Sequence, residues 1–198
     1  MPERPRFAWS KRRRAVVAAG LTWPLWPAAA DDDEVARLLR EGGAVIAFRH
    51  ALAPGTFDPP GFKPGVCSTQ RNLNDEGRAQ ARRMGEWFKA AGLQPARVRS
   101  SPWCRCLDTA TLAFGKAEPW AALGSPRGAS EGTNAASLVE LRRALATASA
   151  SRRPFEVWVT HMFVLSDLAG TGIASGNGLV LRADGAGGVK VLARLMVA

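Results

Sequence analysis

The apolar positions of this chain fall into two rhythms. Short unbroken runs alternate with stretches in which apolar residues return every three or four positions, as when strands buried on both faces alternate with amphipathic helices. The clearest run opens the stretch 44–51 (AVIAFRHA) and leads straight into Arg49 and His50. Residues 155–160 (FEVWVT) repeat the arrangement and end at His161. A third strand is expected over 96–100, running into Ser100, Ser101 and Pro102, a turn that would start a helix with Arg105 in its first turn. Helices are expected over 31–40, 74–91, 102–114, 134–150 and 162–168. In the second of these Asn74 is the cap, Asp75 and Glu76 sit in the first turn, and Leu73, Gly77, Ala81, Met84, Phe88 and Ala91 recur at helical spacing. Two closing strands, 178–182 and 189–196, flank a glycine-rich turn and read as an antiparallel hairpin. The sum is an α/β fold: a three-layer sandwich with a mostly parallel central sheet flanked by helices.

In such sheets, chemistry takes place where strands end at their carboxyl edge. The chain has only two histidines, and the pattern delivers both to that edge, with Arg49 beside one and Arg105 at a helix start between them. Two guanidiniums can each grip a phosphoryl group through paired N–H donors, one neutral imidazole can attack phosphorus, and a second can hold an oxygen. The segment 52–71, rich in proline and glycine, is too long to be a plain connection and is expected to border the cleft.

The motifs that carry this chemistry are Phe48-Arg49-His50-Ala51, then Leu73-Asn74-Asp75-Glu76-Gly77-Arg78-Ala79-Gln80-Ala81, then Ser100-Ser101-Pro102 with Arg105 and Asp108-Thr109-Ala110, then Val159-Thr160-His161. In this order and over roughly residues 45–170, they resemble the histidine phosphatase superfamily, the phosphoglycerate mutase-like group, in its branch with the Arg-His motif. One departure is Ala51, where the family usually has glycine; alanine suits the position unless it requires a positive φ. The resemblance implies a phosphomonoester hydrolase in which His50 becomes phosphorylated, Arg49 and Arg105 neutralise the phosphoryl oxygens and His161 supplies a further contact. Ser100, Ser101 and Thr160 either orient those groups or serve only as strand ends. The family protonates the leaving oxygen from a carboxyl in a loop over the pocket. Asp58 and Glu131 are the two candidates, with neither preferred. Neither metal nor cofactor is implied, because the arginines already supply the cationic charge. The alternatives are a non-catalytic module that binds a phosphorylated ligand in the same pocket, and an envelope enzyme acting on sugar or lipid phosphates. A mutase is disfavoured by the short chain.

The first 30 residues differ in kind. Six basic residues precede an apolar stretch over 15–27, and three alanines precede Asp31, Asp32 and Asp33. This is the three-part layout of a secretory signal peptide, with residues 31–198 as the mature domain in the periplasm or outside the cell. The Arg12-Arg13 or Arg13-Arg14 pair admits twin-arginine export, and a basic tail without targeting function is the plain alternative. Removing the segment halves the formal charge from +10 to +5. The remaining basic residues are spread over helices without interleaved aromatics, which argues against nucleic acid as a partner and for a small or surface-linked phosphoester. No run is long enough for a stable membrane span. The three cysteines suit an exported protein, with Cys67 pairing with Cys104 or with Cys106.

Overall fold

The structure, a computed structural model, describes residues 1, 32–126, 133–151 and 153–197. The leader expected from the sequence, its boundary at Asp31 and Glu131 lie outside the described residues. Helix α1 (Asp32–Glu41) precedes strand β1 (Val45–Arg49), and α2 (Asp75–Ala90) leads to β2 (Arg97–Ser100). Then come α3 (Cys104–Phe114), β3 (Glu118–Pro119), α4 (Ala135–Ser151), β4 (Glu156–Thr160), α5 (Met162–Ala169) and the hairpin β5 (Gly178–Ala183) and β6 (Val189–Leu195).

Six strands form one sheet in the order β3-β2-β4-β1-β5-β6. The first four are mutually parallel, and β5 and β6 run antiparallel. Both faces of β1 are buried, so its residues divide between two cores by simple alternation. Ile46 and Phe48 join Leu39, Met84, Phe88 and Ala110 from α1, α2 and α3. Val45 and Ala47 join Leu141, Leu145, Val164 and Leu165 from α4 and α5. This makes the three layers expected from the sequence.

The helix ends follow local chemistry. Asn74 Oδ1 accepts from the Gly77 amide at 2.8 Å and closes the start of α2. Asn134 does the same for α4, accepting from Ala136 and Ser137. A side chain on Gly77 would overlap the Leu52 carbonyl, and one on Gly85 the Ala113 carbonyl, so these two glycines let α2 lie close to its neighbours. Two differences from the sequence reading concern short pieces. Helix α3 begins at Cys104 rather than at Pro102, since Trp103 is still extended. Between α3 and α4, where the pattern predicts no strand, the chain forms β3, held by only two pairs along the edge of β2 and too short to give a periodicity.

Candidate active site

β2, β4 and β1 lie side by side and parallel, so their carboxyl ends open on one edge. Arg49 is in register with Thr160, and Ser100 with Val159. The chain leaves β1 towards one face and β4 towards the other, and a crevice forms where the two paths diverge. His50 and His161, the next residues along, face each other there with ring centroids 5.4 Å apart. Both are almost fully buried.

Their hydrogen bonds fix the tautomers. His50 Nδ1 lies 2.8 Å from the Ala51 carbonyl oxygen, which can only accept, so Nδ1 carries the proton and Nε2 keeps its lone pair. Burial lowers the His50 pKa to about 3, and the positive charge of Arg105 and Arg49 adds to the effect. The ring is therefore neutral at neutral pH. His161 is the opposite tautomer. Arg105 Nη2 donates to its Nδ1 at 3.4 Å, which leaves Nε2–H to donate to Ser101 Oγ at 2.8 Å. Burial, then His50 and Arg105, hold its pKa well below the ordinary value.

Arg49 reaches the Ile173 carbonyl at 3.2 Å, and burial lowers its pKa. Arg105, only 3% exposed, donates to Asp58 Oδ1 at 2.8 Å. A third guanidinium, that of Arg71, was missed by the sequence reading. It is pinned on the carbonyls of Ala53, Pro54 and Gly55, and its pKa is lowered by burial and then by Arg105. The Nε–H groups of Arg49, Arg71 and Arg105 are all buried without a hydrogen-bond partner. Orphaned donors of this kind carry a desolvation cost unless an acceptor arrives. Among the described residues, three guanidiniums against the carboxylate of Asp58 leave an excess of two positive charges, which suits a dianion.

Of the two carboxyl candidates, Asp58 is placed beside this cluster. Its oxygens accept from Arg105, from the Trp103 indole at 3.1 Å and from the Arg71 amide at 2.9 Å. Every partner donates, so the geometry fits a holder of Arg105 better than a carrier of a transferable proton. Ser101 orients His161, whereas Ser100 and Thr160 bond to the carbonyls of Ser101 and Leu123 and are strand-end chemistry. Ala51 is fully buried and packs with Leu73 and Ala81, so the methyl that replaces the family's glycine has a place.

The loop carrying Asp58 and Arg71 is tied down covalently. Of the two pairings left open by the sequence, the structure has Cys67–Cys104, and Cys106 is a buried free thiol. Cys106 Sγ sits 3.4 Å from His161 Nε2, and burial pushes its pKa up to about 12, so it is an inert neighbour of the imidazole. Arg71 had no sequence signal, because a lone loop arginine before a helix cap belongs to no periodicity.

Arg49, His50 and His161 line a cavity of about 230 Å³ at this edge. A larger cleft of about 530 Å³ lies at the other end of β2 and β4, among Arg97, Arg99, Trp120 and Glu140. It contains neither histidine, and two of its arginines are already paired, Arg97 with Glu118 and Arg99 with Glu156. The chemistry therefore belongs to the smaller one.

Residues 66–124 match the sequence profile of the histidine phosphatase superfamily (branch 1). The solved structure of the protein histidine phosphatase SixA complexed with tungstate superposes with a TM-score of 0.53 at 18% identity, over 77% of this chain and 96% of that one. A phosphoserine phosphatase from Entamoeba histolytica gives 0.57 at 15% identity, over 78% and 97%. A mycobacterial glucosyl-3-phosphoglycerate phosphatase gives 0.55 at 16% identity, over 78% and 98%. No curated protein sequence matches. Over residues 66–124 the chain is thus similar in sequence to the histidine phosphatase superfamily, and its architecture is phosphoglycerate mutase-like.

Proposed function

We propose that this protein hydrolyses phosphomonoesters through a phosphohistidine formed on His50 Nε2. The observation that carries the proposal is the cluster of three buried, unpartnered arginine Nε–H groups around a neutral imidazole whose Nε2 lone pair is free. The imidazole attacks phosphorus, the P–N bond forms as the ester P–O bond breaks, and the leaving oxygen takes up a proton. Water then attacks the phosphoryl group, the P–N bond breaks, and inorganic phosphate departs. Arg49 and Arg105 neutralise the charge of the phosphoryl oxygens in the transition state. The His161 Nε2–H, now given to Ser101, is the donor for which a phosphoryl oxygen competes. The solved relatives support the class of reaction, since each is named as a phosphatase.

The test is brief incubation with a labelled phosphoester followed by an alkaline quench, in which phosphohistidine survives. Label is expected on the wild-type protein and none on His50→Ala. Label on a serine, or full turnover by the variant, would discard the mechanism. A binding module with the same pocket remains the second reading, because both oxygens of Asp58 are occupied by N–H donors. Turnover of an activated aryl phosphate, whose phenolate leaves with little help, distinguishes the two.

We also propose that the protein is exported, from the layout of residues 1–30 and with the support of the Cys67–Cys104 disulfide. A mature N-terminus at or near Asp31 in the periplasmic fraction is expected. An intact leader on protein recovered from cytoplasm would reject it.

A further inference from the structure

The residues that line the cavity differ in chemistry. Arg49, His50 and His161 supply its titratable groups, while Gly55, Thr56, Ser125, Met162 and Phe163 complete its lining, and none of these five carries charge. Apart from Ser125, this uncharged lining is built from two elements. Gly55 and Thr56 come from the long loop, and Met162 and Phe163 from the first turn of α5. Just beyond Thr56, Phe57 is 45% exposed, yet its ring stacks on that of Phe163 at 6.0 Å between centroids and 11° between planes. A large apolar side chain left in water beside a cavity, with its ring parallel to one that lines the cavity, extends the apolar wall outwards to the mouth.

Charge matching points the same way. The excess of two positive charges in the cluster is met by one phosphomonoester dianion. An additional carboxylate or phosphate on the leaving group would then leave water for an uncharged wall, with no further cation lining the cavity among the described residues to receive it. The volume, about 230 Å³, is below the usual range for sites that enclose a whole drug-sized ligand, so it accommodates the phosphoryl group and the first ring or chain segment of the leaving group.

We infer that the leaving-group side selects phosphomonoesters whose leaving group is uncharged and apolar, with an aromatic ring as the best fit, and rejects those carrying a second anionic group. This rests on the phosphatase reading above. Phe163 and Phe57 are the residues that set the preference, through stacking and exclusion of water.

The experiment compares phenyl phosphate with para-carboxyphenyl phosphate on the full chain, so that intrinsic leaving-group ability is closely matched. The uncharged ester is expected to have a kcat/KM higher by about ten-fold, carried mainly by KM. Phe163→Ala and, at the exposed position, Phe57→Ala should each raise KM for phenyl phosphate by about five-fold, with Phe163→Leu intermediate, while KM for methyl phosphate moves much less. Equal or better use of the carboxylated ester overturns the inference and leaves the phosphatase reading standing. If neither ester is turned over, the phosphatase reading fails, and binding of phenylphosphonate against para-carboxyphenylphosphonate decides the inference on its own. Tighter binding of the uncharged phosphonate upholds it, and equal or weaker binding rejects it.

Discussion

Among the described residues, one carboxylate, that of Asp58, holds the cationic end of the candidate site in place. With a side-chain exposure of 10% it accepts from Arg105 at 2.8 Å, and the same oxygen takes the Arg71 amide. Asp58→Asn keeps the shape but replaces one acceptor oxygen by a donor and leaves a buried guanidinium short of a partner. Losing a hydrogen bond to a buried charge costs about 1.5–3 kcal/mol, which corresponds to roughly a ten- to hundred-fold loss of kcat/KM. If Asp58 positions Arg105, the loss should be equal for an alkyl and an activated aryl phosphate. A loss confined to the alkyl ester, measured by initial rates on both, would instead make Asp58 the proton donor. Glu131→Gln assayed in parallel tests the other candidate.

At the scale of elements, the cleft is built from the ends of regular strands and from an irregular loop. The segment between β1 and α2 contains one short 3-10 turn, Cys67–Thr69, and is joined to α3 by the Cys67–Cys104 disulfide, by Gln70 accepting from the Cys104 amide at 3.1 Å, and by Asp58. The disulfide closes a loop of 37 residues in sequence separation, for which chain entropy gives about 4 kcal/mol of stabilisation. The double variant Cys67→Ser with Cys104→Ser should lower the unfolding free energy by about 2–4 kcal/mol. It should also raise KM, since Asp58, Arg71 and the Gly55–Phe57 wall all ride on this segment. Urea unfolding and steady-state kinetics measure the two effects. Unchanged KM with lowered stability would confine the disulfide to a structural role.

For the molecule as a whole, two buried neutral imidazoles make stability depend on pH. Both have folded-state pKa values below the unfolded value of 6.5, that of His50 at about 3. Above pH 6.5 neither state binds the proton and there is no effect. Below it the unfolded chain takes up protons that the folded chain refuses, so stability falls as pH falls towards the folded pKa. The slope is about 1.4 kcal/mol per pH unit for each imidazole. Urea midpoints taken between pH 7 and 5 should therefore decline, and His50→Asn should remove about half of the decline. A flat profile would mean that the rings are hydrated or charged in the folded protein.

The same whole-molecule view separates what was legible from what was not. Five of the six strands, the helices, the hairpin and the four residues at the carboxyl edge could be read from the chain, because burial on both faces and helical amphipathicity are periodic, and because strand ends are marked where the apolar run stops. His50 and His161 lie 111 residues apart, yet each is fixed to its strand end by local pattern, so their meeting needed only the parallel pairing of β1 with β4. Arg71, the Asp58–Arg105 pair, the choice of Cys104 over Cys106 and the stacking of Phe57 on Phe163 had no such mark. They depend on how an irregular, glycine-rich loop folds back over α3 and α5, and its path follows from long-range hydrogen bonds and a covalent link rather than from any repeat along the chain. The sequence by itself determined that His50, His161, Arg49 and Arg105 come to the carboxyl edge of the sheet. Only the tertiary structure decided which cations surround the histidines and which uncharged side chains complete the cavity lining, because those contacts are made across distances over which sequence carries no period.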